Sequence, residues 1–215
     1  MWPVNCNLAM INRTVPLVLA AVTACADPAP PDLAKAPDPC RVPQSELYKT
    51  ASDSAILSGA RALMLTDSNV AVVTVDSMGQ PRVRTTKAFI SPADSTDPAK
   101  GMTVWIMTRL TTRKVDQVLR HPQVTLYFNN DDRVEYATIM GTAVVHRDPE
   151  HPQARAFYEN GYKEFFWPHF PDDFVMIEIK PLWLEYLGPT VAASNDTWRP
   201  QAVVFPGGCK SSDRR

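Results

Sequence analysis

Glycine is scarce in this chain, with 8 in 215 residues against 20 prolines. No glycine-rich loop of the kind that cradles nucleotide phosphates is present. The prolines point instead to rigid connections. An excess of one charge is lacking too: 22 Lys and Arg stand against 23 Asp and Glu, a formal net charge of -1. That balance supplies no broad basic field, which excludes nucleic acid as a partner. The chain has no CxxC pair and no Ser-His-Asp arrangement. Its histidines, His121, His146, His151 and His169, lack metal-ligand spacing, and the pair His146 and His151 flanks an Asp-Pro turn expected at the surface. No internal repeat is visible. The early apolar run at 15–24 is about half the roughly 20 residues needed to cross a bilayer.

That run suits the core of a signal peptide, with Arg13 the only charge before it. Met10 offers an alternative start. Val22-Thr23-Ala24-Cys25 resembles the bacterial lipobox, in which small residues precede a cysteine that is lipidated and becomes the new N-terminus. Ala24-Cys25-Ala26 also fits a small-x-small cleavage site that would leave Asp27 first. No twin-Arg pair precedes the apolar run, so export of the unfolded chain is expected. Residues 27–43 hold six prolines among Ala and Asp, a composition that favours extended polyproline II and buries no core. The expected organisation is a signal peptide at 1–24, a lipidated Cys25 with a Pro-rich linker to 43, one domain over 44–206, and a tail at 207–215. Such a chain is expected at the bacterial cell envelope, on the periplasmic side, held to the membrane by its lipid anchor. Cys40 and Cys209 remain, one at each end of the domain, as a disulfide in an oxidising compartment or as two free thiols.

With 45% hydrophobic residues, the domain can bury a core of its own. Leu47, Ala51, Ala55, Ala62 and Leu63 recur at helical spacing, predicting a helix over 44–66. The β-branched run 70–75 reads as a strand, 77–80 as a turn, and 81–90 as a second strand. A loop at 91–101 precedes a strand at 102–107. Val115, Val118 and Leu119 share one face of a short helix over 111–120, which Pro122 closes. Strands follow at 124–128 and 136–146, then a short helix at 151–158, strands at 174–179 and 182–187, and an extended piece near 202–205. Many antiparallel strands with few short helices argue for a barrel that closes its own edges.

Two segments carry charge where a plain scaffold would not place it. In Thr111-Thr112-Arg113-Lys114, two cations stand at a helix start, against the helix dipole. A Thr there can cap, and backbone N–H groups of the first turn lack intrahelical partners. A bound phosphate would remove the conflict; two solvated charges are the alternative. In residues 79–87, Arg82, Arg84 and Thr86 face one way on a strand, and Val83, Thr85 and Lys87 the other. Both faces are partly polar, as beside a cofactor or on an edge strand protected from aggregation.

Gly79-x-Pro81-x-x-Arg84, Val104-Trp105-Ile106-Met107-Thr108, Thr112-Arg113-Lys114, the run from His121 to Phe128, and Met140-Gly141-Thr142-Ala143 occur in order. Together they resemble the FMN-binding pyridoxamine 5'-phosphate oxidase-like superfamily over residues 46–187, nearest its general-stress-protein branch. The resemblance implies a mainly β (α+β) fold, a six-stranded antiparallel Greek-key split β-barrel with short flanking helices. It further implies a homodimer with FMN at each subunit interface and a flavin-dependent oxidoreductase acting on a small-molecule substrate. Carried over, Arg84 contacts the flavin phosphate or ribityl chain, and Thr85 and Thr86 line the ring through backbone groups. Met107 and Thr108 lie along the cofactor, while Thr112, Arg113 and Lys114 hold the phosphate. Tyr136 stands where the oxidase uses a Gln, and Phe89 where it uses a Lys, for which Lys87 is a weak substitute. No arginine-rich C-terminal segment like that of the true oxidase is recognisable, which argues against oxidation of pyridoxamine phosphate itself. No residue qualifies as an obligatory acid or base. The aromatic cluster at 165–170 suits packing or a pocket wall, and Trp198-Arg199 suits a cover over the flavin. A non-catalytic flavin- or haem-binding module at the envelope is the alternative reading.

Overall fold

The apolar-polar alternation of the strands decides which way each one faces. In β1 (Asn69–Val75), Val70, Val72 and Thr74 turn inward, and the residues between them are half-buried or exposed. In β5 (Gln123–Asn130), Val124, Leu126 and Phe128 do the same. The pattern continues in β6 (Glu135–His146) through Ala137, Ile139 and Ala143. These side chains form one core with Ile56, Ala60, Leu63 and Met64 of α1 (Asp53–Thr66), which lie on one helix face. The computed structural model describes residues 48–66, 69–130, 132–148, 150–157, 159, 172–191 and 199–205. The expected signal peptide, Cys25 and its linker, Cys40, Cys209, His169, the aromatic stretch 165–170, Trp198 and the tail lie outside the described residues.

The remaining elements are β2 (Pro81–Lys87), β3 (Phe89–Ile90), α2 (Pro98–Gly101), β4 (Val104–Arg109), α3 (Arg113–Arg120), α4 (Pro152–Phe157), β7 (Phe174–Leu187) and β8 (Gln201–Val204). All strands pair antiparallel, in the order β2-β1-β5-β6-β7-β4-β3, with β8 added beside β7. The two ends of that path, β2 and β3, are one stretch of chain interrupted at the buried Ala88. β2 pairs with β1 and β3 pairs with β4, so the sheet returns on itself. The expected split barrel is therefore the fold. Its eight strand segments fill six barrel positions, since β2 and β3 share one and β8 occupies the edge of β7 beyond β4.

Two local geometries shape the barrel. Gly79, at φ 76°, makes the β1-β2 turn in a left-handed conformation that costs glycine little. At Met140/Gly141 the register of β6 on β7 shifts. A Cβ at Gly141 would stand 2.5 Å from the Lys180 carbonyl oxygen, so only glycine admits that approach. The neighbouring Pro181 lacks an N–H and is accommodated where the ladder is irregular. β7 consequently runs unbroken where the sequence suggested two strands.

The first helix is shorter than expected. Residues 48–52 are not helical, because β8 claims them: Ala202 N–H donates to the Tyr48 carbonyl (2.9 Å), and Thr50 N–H to Gln201 Oε1 (2.6 Å). α1 starts after Ser52, whose hydroxyl accepts from Ala55 N–H (3.3 Å). A second apolar cluster lies on the other side of β4 and β7, where Trp105, Met107, Phe174 and Met176 meet Ala154 of α4. Phe89 and Phe157 stack there with ring centroids 3.9 Å apart. Among the described residues, no helix is long and apolar enough to cross a membrane.

Candidate functional site

Arg84 sits opposite Val72 in the β1-β2 ladder, so its side chain turns to the core side of β2. There α3 covers the end of the barrel, packing Val115 and Val118 into the main core. Helix and strand together bring three cations near one another: Arg84 from β2, and Arg113 and Lys114 from the first turn of α3. Burial pushes the Lys114 ammonium below the usual lysine range, and the Arg84 charge lowers it further. Arg84 is likewise depressed, first by burial and then by the charges of Arg113 and Arg82. Of these cations, Arg82 is paired with the Asp76 carboxylate at 2.7 Å. Among the described residues, no carboxylate pairs with Arg84, Arg113 or Lys114.

Neutral groups hold Arg84 and Lys114 instead. Arg84 donates through Nη1 to Thr74 Oγ1 (2.8 Å) and through Nη2 to Gln117 Oε1 (2.9 Å). The Thr74 hydroxyl in turn donates to the same Gln117 oxygen (2.7 Å). Lys114 Nζ donates to Thr108 Oγ1 (2.7 Å), and Thr108 and Thr112 hydroxyls lie 3.2 Å apart. Thr112 is the N-cap residue of α3, yet its side chain caps nothing, because its hydroxyl donates to the Arg109 carbonyl (2.9 Å). The helix start is thus left positive by its dipole as well as by its side chains. Like charges gathered without a counter-charge raise the free energy of the empty site, and an anion lowers it.

Of the residues singled out from the sequence, Arg84, Thr108, Thr112, Arg113 and Lys114 meet here. Thr86 lies on the same side of β2, opposite Val70, and is half-buried. Thr85 and Lys87 lie on the opposite, exposed side. Met107 is buried in the second apolar cluster. Tyr136 faces away from the barrel core, its ring 5.7 Å from that of Tyr127. Burial raises its phenol, with Glu185 and Tyr127 adding to the effect. Thr74 and Gln117 carry no family motif, and both were overlooked. Their signal was present: a hydroxyl in the inward phase of β1, and an amide on α3 beside the apolar Val118.

His146 and His151 are not isolated surface residues. Their rings lie 5.1 Å apart and each is within 5.5 Å of the Trp105 ring. His146 Nε2 is 2.9 Å from Glu178. Among the described residues, no group of three potential ligands has metal-site geometry. A groove of about 650 Å³ opens between α1, α2, β7 and β8, lined in part by Leu57, Thr103, Lys180, Pro181 and Phe205. It adjoins the start of β4, while the cations cluster at its end, and the two share no residue. The cations of the corner stand together without a carboxylate, whereas the groove's Lys100 and Lys180 are paired with Asp94 and Glu178.

Residues 59–188 match the family described as pyridoxamine 5'-phosphate oxidase. No curated protein matches the sequence. Among solved structures, a candidate pyridoxamine 5'-phosphate oxidase from Listeria innocua is similar at 19% identity and TM-score 0.51, covering 62% of this chain and 98% of that one. A haem binding protein from Mycobacterium smegmatis is similar at 12% identity and TM-score 0.51, covering 73% of this chain and 60% of that one. A pyridoxamine 5'-phosphate oxidase-related, FMN binding protein from Nostoc punctiforme is similar at 15% identity and TM-score 0.48, covering 70% and 93%. At these identities the likeness is one of fold.

Proposed function

This chain belongs to the pyridoxamine 5'-phosphate oxidase family, and from that premise we propose that it is an FMN-dependent oxidoreductase of the cell envelope. The observation that supports this reading is the corner of Arg84, Arg113 and Lys114, where Arg84 and Lys114 have hydroxyl and amide partners only and the Arg113 charge stands close to Arg84. A flavin mononucleotide ends in a phosphate that is close to doubly charged at neutral pH, its second ionisation lying near about 6. That group fits the charge, the donors and the open helix start. When bound, the flavin supplies hydride or electron transfer, and the protein supplies orientation and electrostatics. The residues at this corner hold no proton-transfer role in the reading, and the substrate is a small molecule met at the flavin.

The cofactor is held between two copies of the chain. The lipobox-like Val22-Thr23-Ala24-Cys25 supports export and anchoring, and Cys25→Ala is expected to move the protein from the membrane fraction to the soluble one. Retention of the variant in membranes would count against the anchor. The cofactor is tested by titrating purified protein with FMN and following quenching of flavin fluorescence. Arg113→Ala with Lys114→Ala should weaken binding by about 3 kcal/mol or more, since each charge-assisted hydrogen bond is worth roughly 1.5–3. Unchanged affinity would remove the phosphate from this corner. A haem absorption band in protein purified from the envelope, with no flavin, would overturn the cofactor itself.

A further inference from the structure

Arg84 is secured in an unusual way for a half-buried guanidinium. A protein commonly fixes such a group with a carboxylate, which orients the charge and cancels it together. Here the partners are Thr74 Oγ1 and Gln117 Oε1, both uncharged. Three hydrogen bonds close a triangle among Arg84, Thr74 and Gln117. The partners are themselves buried, Thr74 at 1% and Gln117 at 8% exposure. The donors fix the amide's orientation: Thr74 and Arg84 both give protons to one oxygen, so Gln117 presents its carbonyl to them. Resting on the FMN-phosphate reading, we propose that Gln117, seconded by Thr74, is a positioning residue that sets the site's preference for a phosphorylated ligand. It aims the Arg84 guanidinium without neutralising it, and leaves the charge of Arg84, Arg113 and Lys114 for the ligand.

The consequence is specific. A carboxylate at position 117 would hold Arg84 as firmly and cancel one cation, so binding of a phosphate should suffer while the rest of the cofactor is unaffected. The test compares FMN with riboflavin, which has the same ring and ribityl chain but no phosphate, on the full-length protein. In Gln117→Glu the preference for FMN over riboflavin should fall about 10- to 100-fold, the factor carried by one charge-assisted hydrogen bond. Riboflavin affinity should stay within about 2-fold, below 0.5 kcal/mol. Gln117→Leu, which removes the acceptor without adding charge, should lower the same preference through loss of Arg84's aim. A folded Gln117→Glu or Gln117→Leu protein that keeps the wild-type FMN-to-riboflavin ratio overturns the role of Gln117. If the wild-type protein itself binds riboflavin as tightly as FMN, the phosphate reading fails, and the two failures are told apart.

Discussion

Tyr186 has no exposed surface, although it carries a hydroxyl. That hydroxyl donates to Glu135 Oε1 (2.7 Å) and accepts from Thr190 Oγ1 (3.1 Å). Burial pushes its pKa up to about 12; the Thr190 bond opposes the shift and the Glu135 contact adds to it. A raised value in the folded protein means that the unfolded chain loses this proton first, near about 10. The contribution of Tyr186 to stability is therefore complete below that pH and disappears as pH climbs toward the folded value. Tyr186→Phe should cost about 1 kcal/mol at neutral pH through the lost hydrogen bond. Between roughly pH 10 and 12 the difference between the two proteins should shrink. Urea unfolding across that range checks this, and a difference independent of pH would refute it. At the same scale, Arg113 and Lys114 were legible because two adjacent cations at a helix start contradict the dipole. The amide of Gln117 beside Val118 was a local signal, but its role was not legible, because that depends on a strand 43 residues away in sequence, at Thr74.

Elements were legible where a pattern is local and failed where a tertiary contact outweighs it. α3 was readable from Val115 and Val118 at helical spacing, and β1 from its β-branched run, both of which pack as those periods require. Residues 48–52 carry an equally helical sequence, yet β8 recruits their backbone, and nothing local announces a partner about 150 residues downstream. Pro181 misled in the opposite direction, since proline in a strand reads as a break. The register shift at Met140/Gly141, permitted by the missing side chain of Gly141, absorbs it. α2 did have a local signal that was passed over. Asp97 accepts from Lys100 N–H (3.2 Å) ahead of Pro98, and the pairing of a capping carboxylate with a proline in the first turn marks a helix start. The separation of Arg84 from Thr85 and Lys87 follows from strand alternation alone.

At the scale of the whole molecule, the sheet face turned away from the core is the feature that a single chain leaves unexplained. Cross-strand partners place Val204, Trp183, Met140, Thr125, Val73 and Val83 in one row across six strands. Five strand spacings make that row about 24 Å long, and Thr125 is its only polar member. Val83 is 66% exposed, Val204 37%, and Tyr127, in the adjoining row, 40%. A continuous apolar band of this length marks an interaction surface in a soluble protein. A second copy of the chain is the occupant proposed here, because Thr85 and Lys87, which the family resemblance assigns to the cofactor, lie on the same side of β2 as Val83. A two-fold contact would carry them, with Tyr136, toward the partner's flavin, while Arg84 and α3 grip the phosphate from within their own barrel. Val83→Asp with Tyr127→Asp changes two exposed side chains, so the fold of one chain should lose little. In a two-fold interface the same pair brings four carboxylates together in an apolar band. The double variant should therefore sediment as a monomer at concentrations where the wild-type protein is expected as a dimer, and bind FMN at least about tenfold more weakly, the factor of 1.4 kcal/mol. A double variant that remains a dimer and keeps its FMN affinity would show that the band serves neither assembly nor the site.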